Sequence, residues 1–281
     1  MSEQYLIFTD LDGTLLDHYS YSWVDAKPAM SRAKHLGVPI VVNTSKTRCE
    51  VRTLLEHMGL EQQPYVVENG SAIVMSNIPL SLLEKLNCKS NYKIIDGQHV
   101  WQLGTSRSVL CDFLTDVREN RNWHFESYQD WSLKELMVKT GLPEEKALES
   151  QKKEFSEPFQ WFDTPENFLK LEVLAKEHGY RILKGGRFYH LQGNINKSSA
   201  FEFFEQYKNE LLNCDKPLKI IALGDNLNDV DMLNKADFPI CIESPVDDFP
   251  EIINSNVRYS EQFGPLGWNR QINALFDELG M

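Results

Sequence analysis

Short runs of buried-type apolar residues recur along this chain and alternate with longer amphipathic ones. That pattern confines it to an α/β fold built on a parallel sheet. Tyr5–Phe8, Val38–Val42 and Leu218–Asp225 read as strands. Ala26–His35 reads as a helix with Pro28 in its first turn and Gly37 beyond its end, and Lys46–Met58 as a helix stopped by Gly59. Tyr65–Val67 is a further strand, and Asn69-Gly70 suits a hairpin into Ser71–Met75. The rhythm changes near residue 85 and returns at Lys197, from which a helix is expected to run to about Leu212. Between them lie helices at Ser106–Glu119 and Pro165–His178, and strands at Arg181–Leu183 and Phe188–Gln192 on either side of Gly185-Gly186. The expectation is a core formed by residues 1–84 and 193–281, interrupted by an inserted cap at 85–192.

Two of the strands end in acid. LIFTDLDGTLLD carries Asp10 and Asp12 one residue apart, and IIALGDNLNDVD carries Asp225, Asn228 and Asp229. The first pair alone fits a turn, a metal loop or a reacting centre. A calcium-binding loop counted from Asp10 would place its third ligand, glycine and closing acid at Thr14, Leu15 and Tyr21, which excludes it. Ligands of open α/β sheets bind at the C-terminal ends of the strands, where the two clusters can converge. Carboxylates gathered there repel unless a cation neutralises them, and hard oxygen ligands with open positions suit Mg²⁺.

Two more strand-end pieces suit an anion. Thr44, Ser45 and Lys46 follow Val38–Val42, where amides and hydroxyls can hold a phosphate, although Thr44 and Ser45 also suit ordinary helix caps. Lys197 opens the helix that re-enters the core. The formal net charge of −12 argues against a general nucleic-acid binder, so an anionic substrate needs a local cation. The 42% apolar fraction is ample for a core, but no run approaches the roughly 18 residues a membrane span requires. The five scattered cysteines fit reduced thiols, and the first residues do not resemble a signal peptide, so a cytoplasmic protein is expected.

The series D-x-D-G-T at Asp10–Thr14, Thr44 after the second strand, Lys197, and G-D-x-x-N-D at Gly224–Asp229 resembles that of the haloacid dehalogenase-like phosphatases. The position of the insert resembles their C2-type cap. NTSKT (Asn43–Thr47), ENG (Glu68–Gly70), SEPF (Ser156–Phe159), GGRFYHL (Gly185–Leu191) and GPLGW (Gly264–Trp268) are similar to the mannosyl-3-phosphoglycerate phosphatase family. Asn196-Lys197-Ser198 departs from that family's lysine motif in the flanking residues while keeping the lysine.

The resemblance implies a Rossmann-like α/β core with a parallel sheet and an inserted α/β cap. It implies an Mg²⁺-dependent phosphatase for mannosyl-3-phosphoglycerate, with Asp10 as nucleophile and Asp12 as proton carrier. The ion would be held by Asp10, the backbone carbonyl of Asp12 and Asp225, supported by Asp229. Thr44, Ser45, Lys197 and Asn228 would hold the phosphate, while Lys46, Glu157, Gly186, Arg187 and His190 would contact the rest of the substrate. Arg187 is the expected partner of a glycerate carboxylate, and Glu157 of sugar hydroxyls. The competing expectations are a broad sugar-phosphate phosphatase, a phosphomutase and a phosphosugar sensor without activity. The partners expected are small phosphorylated molecules, without nucleic acid or membrane.

Overall fold

A computed structural model describes residues 3–185 and 187–281. Its core is a nine-stranded sheet. In chain order the strands are β1 (Gln4–Thr9), β2 (Ile40–Asn43), β3 (Tyr65–Val67), β4 (Ala72–Met75), β5 (Tyr92–Ile95), β6 (Gln98–Gln102), β7 (Phe125–Ser127), β8 (Ser156–Trp161), β9 (Tyr180–Lys184), β10 (Tyr189–Gly193), β11 (Leu218–Gly224), β12 (Phe238–Glu243) and β13 (Arg258–Phe263). The core order is β13-β12-β11-β1-β2-β3-β4-β6-β5. From β13 to β3 neighbours run parallel, and β4, β6 and β5 are added antiparallel.

Strand β1 shows why this part is a three-layer structure. Successive side chains point to opposite faces. Tyr5 and Ile7 enter a core with Val42, Leu55, Trp268 and Phe276, under helices Lys27–His35, Arg48–Met58 and Gly264–Glu278. Leu6 and Phe8 enter a second core with Phe201, Phe204, Met232 and Leu82, under helices from Ala200–Gln206, Val230–Lys235 and Leu80–Leu86. Both faces are covered, as the uninterrupted apolar runs require.

The insert forms its own antiparallel sheet in the order β7-β8-β10-β9. Leu110, Phe113 and Leu114 of helix Arg107–Arg121 and Leu171 and Ala175 of helix Pro165–Glu177 bury against Phe125, Phe159 and Leu191 of that sheet. A satellite cluster of Tyr128, Trp131, Leu136, Ala147 and Phe188 anchors two shorter helices, Leu133–Thr140 and Glu144–Gln151.

Three expectations are corrected. The cap start expected at residue 85 falls in helix Leu80–Leu86, ahead of two strands of the core sheet, since β5 and β6 pair with each other and β6 pairs with β4. Tyr92 and Trp101 pack beside Met75, Leu82 and Leu86, so this hairpin belongs to the core and the chain leaves it after Gln102. The helix expected from Lys46 starts at Arg48, since Thr47 is its cap: Thr47 Oγ1 accepts from Glu50 N, and Glu50 accepts from Thr47 N. Thr44 and Ser45 are therefore not caps. The helix expected from Lys197 to Leu212 is a 3-10 turn, Lys197–Ser199, followed by helices Ala200–Gln206 and Lys208–Leu212 that part at Tyr207.

Candidate active site at the strand ends

Register brings the acidic clusters together. Thr9, the last residue of β1, pairs with Leu223 on β11 and with Val42 on β2. Asp10, Asp225 and Thr44 consequently leave three adjacent parallel strands at the same edge. The amide of Asp10 donates to Leu223 O at 2.9 Å, continuing the ladder into the loop. Trp268 Nε1 donates to Thr9 Oγ1 at 3.0 Å, pinning the strand end from the last helix.

Lys197 lies at the centre, with no solvent-exposed surface. Its ammonium donates to Asp10 Oδ1 at 2.5 Å and to Asp229 Oδ1 at 2.6 Å. Asn43 Nδ2 holds the backbone carbonyl of Lys197 at 2.7 Å, which fixes the lysine from strand β2. Asn196 caps the turn before it, accepting from Ser198 N at 2.9 Å. The departure in the lysine motif thus produces a capped turn and leaves the ammonium at the carboxylates.

Asp10, Asp225 and Asp229 each present a carboxylate oxygen within 4.8 Å of the others, and all three residues are buried. Burial first, with Asp229 and Asp12 adding to it against the pull of Lys197, pushes Asp10 up to about 7. Burial and then Asp10 and Asp229 push Asp225 up to about 8. Lys197 is held above the usual lysine range, because the two aspartates outweigh its own desolvation. One buried ammonium thus faces three buried carboxylates, and the unmet charge, with an all-oxygen donor set, fits a divalent cation such as Mg²⁺.

Glycines allow this crowding. Gly13 has φ +80°, and a Cβ there would lie 2.4 Å from Asp225 Oδ2. A Cβ on Gly224 would lie 2.4 Å from Asp229 Cγ. Thr14 Oγ1 donates to Asp225 Oδ1 at 2.8 Å, and Asp229 Oδ2 accepts from the amides of Asp225 and Asn226. Asp12 is placed differently. Its Oδ2 pairs with Lys46 Nζ at 2.7 Å, while Oδ1 is buried without a hydrogen-bond partner.

A cleft of about 700 Å³ opens from Asp12, Ser45, Lys46 and Asn228 on the core toward Tyr128, Lys153 and His190 on the cap. Thr44 is buried behind Ser45, with its Oγ1 accepting from Lys46 N at 3.2 Å. Asn228 donates to Asn69 Oδ1 at 3.1 Å across the cleft floor. His190 faces the cleft, and burial, helped by Lys153, lowers it to about 3, so its ring is neutral.

Two cap expectations are not brought to this cleft. Glu157 is fully buried, and its carboxylate is already occupied by Arg107 Nε at 2.5 Å and Gln129 N at 2.8 Å. Arg187 is exposed and donates its guanidinium to the carbonyl of Thr140. Gly186 lies outside the described residues.

Residues without an assigned role in the sequence complete the junction. Glu68, fully buried beneath the cap, accepts from Glu154 N at 2.7 Å, Phe155 N at 3.2 Å and Ser156 Oγ at 2.6 Å. The chain leaves for the cap beside the same turn, where Leu103 N and Gly104 N both donate to Ser71 O at 2.8 Å. Arg48 adds ion pairs to Glu154 at 3.1 Å and Asp96 at 2.8 Å. The ENG and SEPF stretches carried the sequence signal for this clasp.

Residues 7–255 match the family model described as haloacid dehalogenase-like hydrolase. The chain is 32% identical over 275 residues to a glucosyl-3-phosphoglycerate/mannosyl-3-phosphoglycerate phosphatase of Persephonella marina, covering 98% of each chain. It is 32% identical over 283 residues to a protein of the same name from Methanococcoides burtonii, covering 99% of this chain and 98% of that one. Its fold is similar to that of a haloalkanoate-superfamily phosphatase from Bacteroides thetaiotaomicron (TM-score 0.64, 15% identity, 99% of this chain and 96% of that one). It is also similar to that of the sucrose-phosphatase of Synechocystis solved with sucrose and phosphate (TM-score 0.55, 14% identity, 98% of each chain).

Proposed function

The chain belongs to the haloacid dehalogenase-like hydrolases, within the mannosyl-3-phosphoglycerate phosphatase family, and on that premise we propose that it cleaves a glycosyl-3-phosphoglycerate, mannosyl-3-phosphoglycerate foremost, to the glycosylglycerate and phosphate. It is a phosphoric monoester hydrolase. The observation that carries the mechanism is the fully buried Lys197 bridging Asp10 and Asp229 at the ends of the central strands.

In this reading Asp10 attacks phosphorus through the carboxylate oxygen that Lys197 does not hold. The bond from phosphorus to the glycerate oxygen breaks, and Asp12 delivers a proton to that oxygen. Water then attacks the aspartyl-phosphate, Asp12 takes its proton, and the Asp10 carboxylate leaves. The partnerless Asp12 Oδ1 supports the proton-carrying role, because a buried oxygen without a partner is free to meet the leaving group. Lys46 keeps that carboxyl at the cleft edge.

Asp10, Asp225 and the Asp12 carbonyl would hold Mg²⁺, with Asp229 behind them, and the bound ion supplies positive charge for the transferring phosphoryl group. Thr44, Ser45, Asn228 and Lys197 are the groups proposed to receive its other oxygens.

The test is phosphate release from mannosyl- and glucosyl-3-phosphoglycerate and from a panel of hexose phosphates, each with Mg²⁺ and with chelator. Metal-dependent release favouring the glycerates supports the reading. Equal rates across the panel indicate a broad phosphatase, and turnover without free phosphate indicates a mutase.

A further inference from the structure

The cap wall of the cleft carries a charge pattern opposite to that of the whole chain. Its lining residues include two cations, Lys153 and Lys184, and no carboxylate. The cap side chains that would have offset or supplemented them, Glu157 and Arg187, are engaged elsewhere with Arg107 and with Thr140 O. The acids that line the cleft, Asp12, Glu50 and Asp247, belong to the core wall. Asp12 is paired with Lys46, and Glu50 accepts from Thr47 N at 2.7 Å.

Lys153 is the more constrained of the two cations. It is half-buried whereas Lys184 is exposed, and it directly precedes Glu154, whose amide Glu68 clasps. The clasp fixes the backbone from which its ammonium enters the cleft. That ammonium bears on both Glu68 and His190 without forming an ion pair with either. A half-buried ammonium that forms no ion pair among the described residues is costly, and its cost is offset when an anion arrives at contact distance. His190 cannot serve, because a neutral imidazole offers only an uncharged hydrogen bond.

We infer that Lys153 forms a second anion subsite on the cap wall, opposite the phosphate site, which takes the carboxylate of the substrate. Lys184 adds long-range attraction at the rim, and Arg187 takes no part. This inference rests on the glycosyl-3-phosphoglycerate reading, whose substrate has a phosphate and a carboxylate on one glycerate unit. It makes the ammonium of Lys153 the group that distinguishes such a substrate from a simple hexose phosphate.

Steady-state kinetics of the full chain with mannosyl-3-phosphoglycerate and its carboxyl methyl ester test it. Lys153→Met is expected to raise KM for the acid about ten- to a hundredfold, the size of one charge-assisted contact. KM for the ester stays within about twofold, and Lys153→Arg keeps the preference for the acid. Arg187→Ala leaves both substrates within the same limit.

A wild type that prefers the acid, with Lys153→Met preferring it equally, overturns the subsite and leaves the substrate reading standing. A wild type that hydrolyses acid and ester alike overturns the subsite, and the hexose-phosphate panel decides the substrate reading separately. If wild type hydrolyses neither, the substrate reading fails, and inhibition of hexose-phosphate turnover by free glycerate decides the subsite. Inhibition lost in Lys153→Met supports it, and inhibition kept overturns it.

Discussion

Lys197 and Asp229 meet at 2.6 Å with both side chains wholly removed from solvent, and the same ammonium reaches Asp10. A lysine so enclosed is tolerable only because carboxylates surround it, and the carboxylates are tolerable in part because of the lysine. Asp10, the β11 loop and the re-entry turn from the cap are tied together through that one cation.

Replacing Lys197 by Met keeps the volume and removes the charge. Without metal, the variant is expected to lose about 3 kcal/mol of stability in urea unfolding, because buried carboxylates lose their partner. Phosphatase activity falls below detection even with saturating Mg²⁺. A variant as stable and as active as the parent would show that the cation is dispensable.

The raised carboxyls predict a pH dependence in the metal-free protein. Folding moves Asp10 from an ordinary value of 3.8 to about 7 and Asp225 to about 8. The folded state therefore binds more protons than the unfolded state in that window. Their contribution to stability is fully present below the unfolded pKa and is lost as pH rises through the folded values. The metal-free Tm should fall between pH 5 and 8, about those limits, more steeply in wild type than in Asp225→Asn. Mg²⁺ should flatten the wild-type profile, and an identical slope in the two proteins would contradict the assignment.

Thr14 reaches the proposed metal site through its hydrogen bond to Asp225 Oδ1. Thr14→Val keeps the shape and leaves that oxygen free to turn. The Mg²⁺ concentration for half-maximal activity should rise about tenfold, with kcat at saturating metal little changed. A fall in kcat with unchanged Mg²⁺ dependence would place Thr14 in another role.

Glu68 clasps the start of β8 with three hydrogen bonds from beneath the cap. Glu68→Ala leaves two buried amides and a hydroxyl without an acceptor, a loss of about 2 kcal/mol or more. Hydrogen exchange should accelerate at the amides of Glu154 and Phe155 before it accelerates in β1 or β11. Uniform acceleration across the chain would indicate a global effect instead of a loosened clasp.

The central strands and their acidic ends were legible in the sequence because each is local. Buried-type apolar runs mark β1, β2 and β11, and Asp10, Asp225 and Thr44 follow them directly. Parallel pairing then aligns the three ends without further instruction. The helix start at Arg48 was also encoded, in Thr47 and Glu50 three residues apart, and the capping-box spacing is the signal that locates it.

The β5–β6 hairpin was obscured because it is an edge. Ile94 is largely exposed while Val100 and Trp101 are buried, so its pattern resembles that of a separate small domain. The cap contacts were illegible for a different reason. Whether Glu157 meets a sugar or Arg107 is decided by packing between elements 50 residues apart, and a motif records only which residue is present. The same holds for Lys153, whose importance lies in forming no ion pair among the described residues.

Asp10 is the group proposed to take the phosphoryl unit. Mass spectrometry of protein acid-quenched during turnover of mannosyl-3-phosphoglycerate with Mg²⁺ tests that most directly. The prediction is one added phosphoryl group on the peptide containing Asp10, absent from a folded Asp10→Asn variant that releases no phosphate. Turnover in the Asp10→Asn variant, or a phosphoryl group on any other residue, would contradict it.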